Sequence, residues 1–418
     1  MVTVEKDKEY YRGNDTQIQT ETVLVNQGGG SLGAYECGVS KVLAEYDMKF
    51  DIIAGSSIGA INAAILASNY SNRYGIKYSV QKLENFWLEL GEKMMPFCSD
   101  KQKSELAALS SLFWGNPKAF TPLWIIQGGN PFYYFFTSPY LYEVSSLRNT
   151  IKKYVDFSRL QKTHKRKIEN DEKSLDEKQS RNDLLEKNND FPRLIMTATN
   201  IQSGEPVTFD SDKIEITLDH IIASAGYAIY GLPWTKIDNN YFWDGSFVHN
   251  TPLKAIVEAS PKLAKIVYVS DVFPLEQKKL PNSMPETYHR VRDLLFHDIS
   301  INQINEVSNI IKEHLSIIEQ MRDIILECKD KDKDTKSKFK DIEKEYQKLL
   351  ANRKGFVISK LVHIQRQESK NHHFLFEDAD FSIATIERLI KEGEMDTENT
   401  LLKINEKEKI NIASSISL

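Results

Sequence analysis

Two glycine-rich turns concentrate the chemistry of this 418-residue chain. Gly55-Ser56-Ser57-Ile58-Gly59 follows the β-like run Phe50–Ala54 and opens the apolar stretch Ile58–Ser68. A GxSxG at a strand-to-helix turn places its central serine on a tight elbow with the hydroxyl exposed. Ser57 is therefore a candidate nucleophile, and Gly55 and Gly59 are the flanking residues that let the turn close. The positive end of the following helix favours an alkoxide and a developing oxyanion, and the N–H of Ile58, just after the serine, is a plausible donor to the latter. The second turn, Gly28-Gly29-Gly30-Ser31-Leu32-Gly33, lies between Val23–Asn26 and a helical run from Ala34. Its uncrowded N–H groups suit an anion, either a phosphate or the oxyanion of a tetrahedral intermediate. The same letters spell a dinucleotide fingerprint, which requires an acidic residue at the end of the second strand. Asp51 stands at the start of that strand and the serine elbow occupies its end, so nucleotide binding is the weaker reading.

A serine nucleophile needs a base. None of the nine histidines has an evident triad partner. His249 lies close behind Asp244 with little room for both to line up on Ser57, and His314 falls on an apolar helical seam, where a structural role is expected. Asp244 itself sits between the aromatic strand end Tyr241-Phe242-Trp243 and Gly245-Ser246, with Asn250-Thr251-Pro252-Leu253 following. It can project into a site or serve as an ordinary turn aspartate. The residues alone leave both open.

The elements needed to position these groups can be read in outline. Short β-branched runs alternate with helical stretches from Glu21 to about Phe273, which predicts an α/β fold with a mostly parallel sheet. Candidate buried strands are Val23–Asn26, Phe50–Ala54, Arg193–Thr197 and Ile266–Ser270. Ile58–Ser68 is apolar on nearly every face, so it should be a buried helix. Lys162–Asp190 is nearly all charged or polar and reads as a surface insertion. Beyond it, Ile304, Val307, Ile311, His314, Ile318, Met321, Ile325 and Cys328 repeat at alternating spacings of three and four, as do Phe339, Ile342, Tyr346 and Leu349. Two such helices predict an antiparallel hairpin. Phe356–His363 is β-like and can return to the sheet edge. Expected boundaries are a polar tail at 1–20, a catalytic domain at 21–275 carrying the insertion at 162–190, and a mainly helical extension at 276–418.

Composition narrows the function. A net charge of −5 offers no global basic field for nucleic acid. The three cysteines have no metal-ligand spacing and suggest a reducing compartment. The first residues hold no secretory pattern, and no stretch approaches the roughly twenty apolar residues of a spanning helix. A cytoplasmic protein is expected, with membrane contact confined to a local surface. Eleven aromatics between Leu112 and Tyr142, interrupted by glycine and proline, can pack in the core or form a lid that dips into a bilayer interface.

The order GGGxxG, GxSxG, Asp-Gly and Asn-x-Pro resembles the patatin-like phospholipase family over about Glu21 to Phe273. TATNIQSGEPVTFD and IIASAGYAIYGLPWTKIDNNYFWDG extend the likeness. GGGSLGAYECGV, NPFYYFFTSPY and KNHHFLFEDADFS are similar to a bacterial subgroup with a helical C-terminal extension. The resemblance implies a patatin-like fold, related to the α/β-hydrolases, with an α-helical hairpin extension. It implies Ser57 as nucleophile and Asp244, in the motif with Gly245, as general base without an intervening histidine. Gly28, Gly29 and Gly30 become the oxyanion loop. The implied activity is hydrolysis of a phospholipid or other acyl lipid through an acyl-enzyme, with no metal or cofactor and with peripheral contact at the inner face of a membrane. Two departures stand out: Leu32 replaces the basic residue of many members, and Ser246 replaces a second glycine or an alanine. A lipid-binding scaffold weakened by those changes is the competing expectation.

Overall fold

The computed structural model describes residues 20–71, 73–93, 100–160, 191–260, 263–277, 279–297, 300–327, 341, 344–345, 357–367 and 376–416. Among these residues, eight strands form one sheet: β1 (Thr20–Asn26), β2 (Ile52–Ser56), β3 (Arg193–Asn200), β4 (Pro206–Asp210), β5 (Thr235–Ile237), β6 (Asn240–Asp244), β7 (Ala264–Asp271) and β8 (Ile358–Gln365). Their order is β8-β7-β1-β2-β3-β6-β5, with β4 also paired to β3. Strands β8, β7, β1, β2 and β3 run parallel, whereas β4, β5 and β6 join through antiparallel ladders. The four expected strands are present: β1, β3 and β7 are longer by a few residues, and β2 is shifted by two residues toward Ser56, while the edge strand β8 overlaps the expected run Phe356–His363.

The central strands carry apolar runs in their middles because both faces are covered there. Leu24 and Ile53 point into the larger core beneath α1 (Ala34–Glu45), α2 (Ile58–Ser68) and α3 (Lys77–Leu90). Their neighbours Val23, Val25, Ile52 and Ala54 point the other way, against Leu253 and Ile256 of helix Leu253–Ala259 and Ile301 of helix Ser300–Glu327. The alternation is the period of two expected of a strand, with apolar residues on both sides. All eleven residues of α2 are buried, as its all-round apolar composition requires. Helix Ser300–Glu327 carries the first half of the expected apolar seam. Phe339, Ile342, Tyr346 and Leu349 lie outside the described residues, as does the charged segment Lys162–Asp190.

This topology decides where the chemistry gathers. Loops leaving the carboxyl ends of adjacent parallel strands line one crevice, and β1 and β2 are adjacent in register, Asn26 beside Gly55. Strand β3 then connects β2 to β6, pairing Thr197 with Ser56 and Ala198 with Asp244. Two ladders thus carry Asp244 across to the serine elbow.

Candidate active site

Ser57 follows β2 directly and heads α2 with φ of 55° and ψ of −129°. Positive φ at a non-glycine residue is strained and persists only where the surroundings enforce it. Here the enforcement is visible. The Ser57 N–H donates to Ser224 Oγ at 3.2 Å, and Ser224 Oγ donates to the Thr197 carbonyl at 2.6 Å. The elbow is therefore tied to β3. Ser56, the alternative hydroxyl, is wholly buried.

Ser57 Oγ donates to Asp244 Oδ2 at 2.5 Å. The second carboxylate oxygen of Asp244 accepts from the Ser246 N–H at 2.8 Å and from Ser246 Oγ at 2.7 Å. Thr199 Oγ1 holds the Asp244 carbonyl at 2.8 Å. Complete burial pushes the Asp244 carboxyl up to about 6, although the hydrogen bonds from Ser57 and Ser246 pull the other way. Such a carboxyl can accept a proton near neutrality and release it again. Ser246 does not adopt positive φ, so the departure from a second glycine introduces no strain there. Instead its hydroxyl orients the aspartate.

The glycine loop faces the same point. A Cβ on Gly28 would lie 2.7 Å from the Ser57 Cβ, so the loop is pressed against the elbow. Gly28 N–H donates to Asn250 Oδ1 at 2.9 Å, and Asn250 Nδ2 donates to the Phe296 carbonyl at 2.9 Å. Beside it, Gln27 Nε2 donates to Thr251 Oγ1 at 2.8 Å, and Gln27 Oε1 accepts from the Val272 N–H at 3.1 Å. The Asn-Thr pair thus holds the loop, a role its spacing in the sequence does not reveal. Among the described residues, the N–H groups of Gly29, Gly30 and Ile58 carry no hydrogen bond, which leaves them for an incoming oxyanion. Leu32 is buried in the core, so it brings no side-chain charge to the loop.

Above these groups lies an apolar cavity of about 120 Å³, lined by Ile58, Ile61, Leu112, Phe120, Tyr142, Leu147 and Phe273 together with Ser57 and the three loop glycines. A water needs only about 10–15 Å³, so a hydrocarbon segment fits. Phe120 and Tyr142 from the aromatic segment form its wall. Phe132, Tyr133, Phe135 and Phe136, on helix Pro131–Thr137, instead face outward, 63–80% exposed. His249 is only partly buried, and the hydrogen bonds of both Asp244 carboxylate oxygens go to Ser57 and Ser246.

The family model for patatin-like phospholipase matches residues 24–257, which takes in both glycine turns and Asp244. The chain belongs to the patatin-like phospholipase family. This member has the mixed, mostly parallel sheet flanked by helices expected of the fold. It is 39% identical over 84 residues to triacylglycerol lipase 4 of Saccharomyces cerevisiae, a match spanning 20% of this chain and 8% of the yeast protein. Its structure also aligns with VipD from Legionella pneumophila at a TM-score of 0.37 and 14% identity, covering 92% of this chain and 67% of that one. Among the described residues of this patatin-like chain, no helix is long and apolar enough to cross a membrane.

Proposed function

We propose that this protein hydrolyses carboxylic esters of membrane lipids through a Ser57–Asp244 dyad and an acyl-enzyme. The supporting observation is the 2.5 Å hydrogen bond from the Ser57 hydroxyl to a buried carboxylate, made at the floor of an apolar cavity beside three unoccupied N–H donors.

In the first step Ser57 Oγ attacks the ester carbonyl and its proton passes to Asp244. The carbonyl oxygen becomes an oxyanion that Gly29, Gly30 and Ile58 N–H groups face; each such donor is worth on the order of 10²–10³ in rate. Gly28 contributes by position, since its own N–H is engaged by Asn250. The C–O bond to the alcohol then breaks, and the leaving oxygen takes the proton from Asp244. Water adds to the acyl-enzyme, giving its proton to Asp244. Collapse of the second tetrahedral intermediate releases the fatty acid and returns the proton to Ser57. The apolar cavity accepts the acyl chain.

Access to such a substrate requires contact with its bilayer. The outward rings of Phe132, Tyr133, Phe135 and Phe136 form a contiguous aromatic surface on one short helix, in the same segment whose Phe120 and Tyr142 wall the cavity. Aromatic side chains suit the headgroup level of a bilayer. Replacing Phe132 and Phe136 with serine is expected to lower hydrolysis of phospholipid vesicles about tenfold or more. Turnover of a soluble short-chain ester should stay within about twofold, since neither ring lines the cavity. Equal losses on both substrates, with a lower Tm, would show that the rings support the fold instead.

A further inference from the structure

The family match ends at residue 257, yet the glycine loop is held from far beyond it. Ser31 Oγ donates to the Glu377 carbonyl at 3.1 Å. Gly30, at φ of 57°, lies so close to Asp378 that a Cβ there would overlap the Asp378 carbonyl oxygen. The loop therefore rests directly on the backbone of the turn Glu377–Ala379, part of the FEDADFS motif near the C-terminus.

That turn is anchored by charge. The buried Glu377 carboxylate accepts from Arg366 Nη2 at 2.6 Å and from Arg292 Nη2 at 3.2 Å, and meets His289 Nε2 at 3.0 Å. Burial alone would raise this carboxyl, but the Arg366 guanidinium, with His289 and Arg292, holds it well below the usual carboxylate range. Arg292 Nη1 also donates to Asp378 at 3.0 Å, and the Tyr230 hydroxyl bridges both Asp378 oxygens at 2.9 Å. A buried ionic network contributes little net stability, because desolvation offsets attraction, but its directional hydrogen bonds admit one geometry. The same segment grips the next element. Helix Ile383–Ile416 begins just after the turn and crosses α1, where Gly38 and Gly393 allow backbone-to-backbone contact with Ile390 and Tyr35. The helix that leaves the glycine loop is thus clamped at the same time as the loop.

We propose that Glu377 and Asp378 are positioning residues for the oxyanion loop: fixed by Arg292 and Arg366, their backbone carbonyls set the height at which Gly29 and Gly30 present their N–H groups beside Ser57. The C-terminal segment then completes the catalytic unit rather than decorating it. This rests on the reading of the loop as an oxyanion site.

Two variants test it, Glu377→Gln and Ser31→Ala. Each is assayed for kcat and KM on a soluble short-chain ester, for inhibition by a trifluoromethyl ketone carrying the same acyl chain, and for Tm. Ser57 adds to the ketone carbonyl with its proton passing to Asp244, so the adduct places a stable oxyanion against the loop. Glu377→Gln is expected to lower kcat about tenfold to a hundredfold and weaken ketone binding by the same factor, with KM within about twofold. Ser31→Ala should change kcat and ketone affinity in the same direction by a smaller factor. A purely structural role would lower Tm and leave kcat and ketone affinity of the folded fraction unchanged, which overturns the proposal. Removing one member of a buried ion network can unfold a protein; where Glu377→Gln does not fold, Ser31→Ala decides alone. A wild-type protein that binds no ketone at all would instead refute the underlying oxyanion reading.

Discussion

Asp244→Asn is expected to lower kcat/KM on a soluble ester by at least about 10⁴-fold, and to make the protein more heat-resistant at pH 8. The amide cannot take the Ser57 proton, which accounts for the loss. The gain follows from proton linkage. An unfolded aspartate ionises near 3.9, whereas burial raises Asp244 to about 6 in the folded protein. Between those values the folded state keeps a proton that the unfolded state has released, so stability falls as pH rises from about 4 to 6 and stays lower above. A neutral amide removes that cost, roughly 2–3 kcal/mol at pH 8, and the advantage should vanish near pH 4. Asparagine can still accept the Ser246 hydrogen bonds at Oδ1. For the wild-type enzyme, kcat/KM should rise with pH through about 6 as Asp244 ionises and then level off. A histidine base would give a similar limb, so His249→Ala is the necessary companion, and it should keep most activity. Paired kinetics and melting curves check both parts. If His249→Ala is as inactive as Asp244→Asn while both stay folded, direct transfer from serine to aspartate is wrong.

Gly59→Ala should also lower turnover, by a smaller factor and a different route. A Cβ on Gly59 would lie 2.5 Å from both the Asn26 and Gln27 carbonyl oxygens. These are backbone atoms at the end of β1, next to the glycine loop, and cannot rotate away. Helix α2 must therefore shift off the strand, at a cost of about 1–3 kcal/mol for overpacking. The shift displaces Ser57 relative to Gly28, which faces it at contact distance. Misplacement on the order of 1 Å costs about a hundredfold in turnover. Activity measured well below the lowered Tm should fall by that order. A folded Gly59→Ala variant with wild-type kcat would mean that the elbow tolerates movement the structure does not show.

The contrast between these residues and others explains what the sequence could reveal. Ser57, Gly55, Gly59 and the glycine loop were legible because each lies within a few residues of a strand and a helix whose periodicity is plain. The parallel sheet was legible for the same reason: β1 and β2 are short apolar runs of the kind both-face burial selects. Ser224, Asn250 and Glu377 were not. Each reaches the site across a large sequence separation, to Ser57, Gly28 and Ser31, and a serine, an asparagine or a glutamate in isolation has no distinguishing spacing. Asn250 and Glu377 did stand within motifs that resembled the family or its subgroup, without any indication of what they contact. The aromatic segment was ambiguous in a more basic way. Composition does not tell a ring that faces inward, such as Phe120, from one that faces outward, such as Phe136; loop geometry decides it. The role of Ser246 was hidden in the same way: the letter alone shows neither that its backbone is unstrained nor that its hydroxyl holds Asp244.

Labelling with a fluorophosphonate probe, followed by peptide mapping, tests the central claim most directly. The probe reacts with a serine hydroxyl only when that oxygen is activated as a nucleophile. The wild-type protein should carry one adduct, on the peptide that contains Ser57. Ser57→Ala should carry none while keeping its melting temperature, and Ser56→Ala should still be labelled, because Ser56 is wholly buried. An adduct on any other residue, or labelling of Ser57→Ala at the wild-type level, would contradict Ser57 as the nucleophile and with it the account of the dyad.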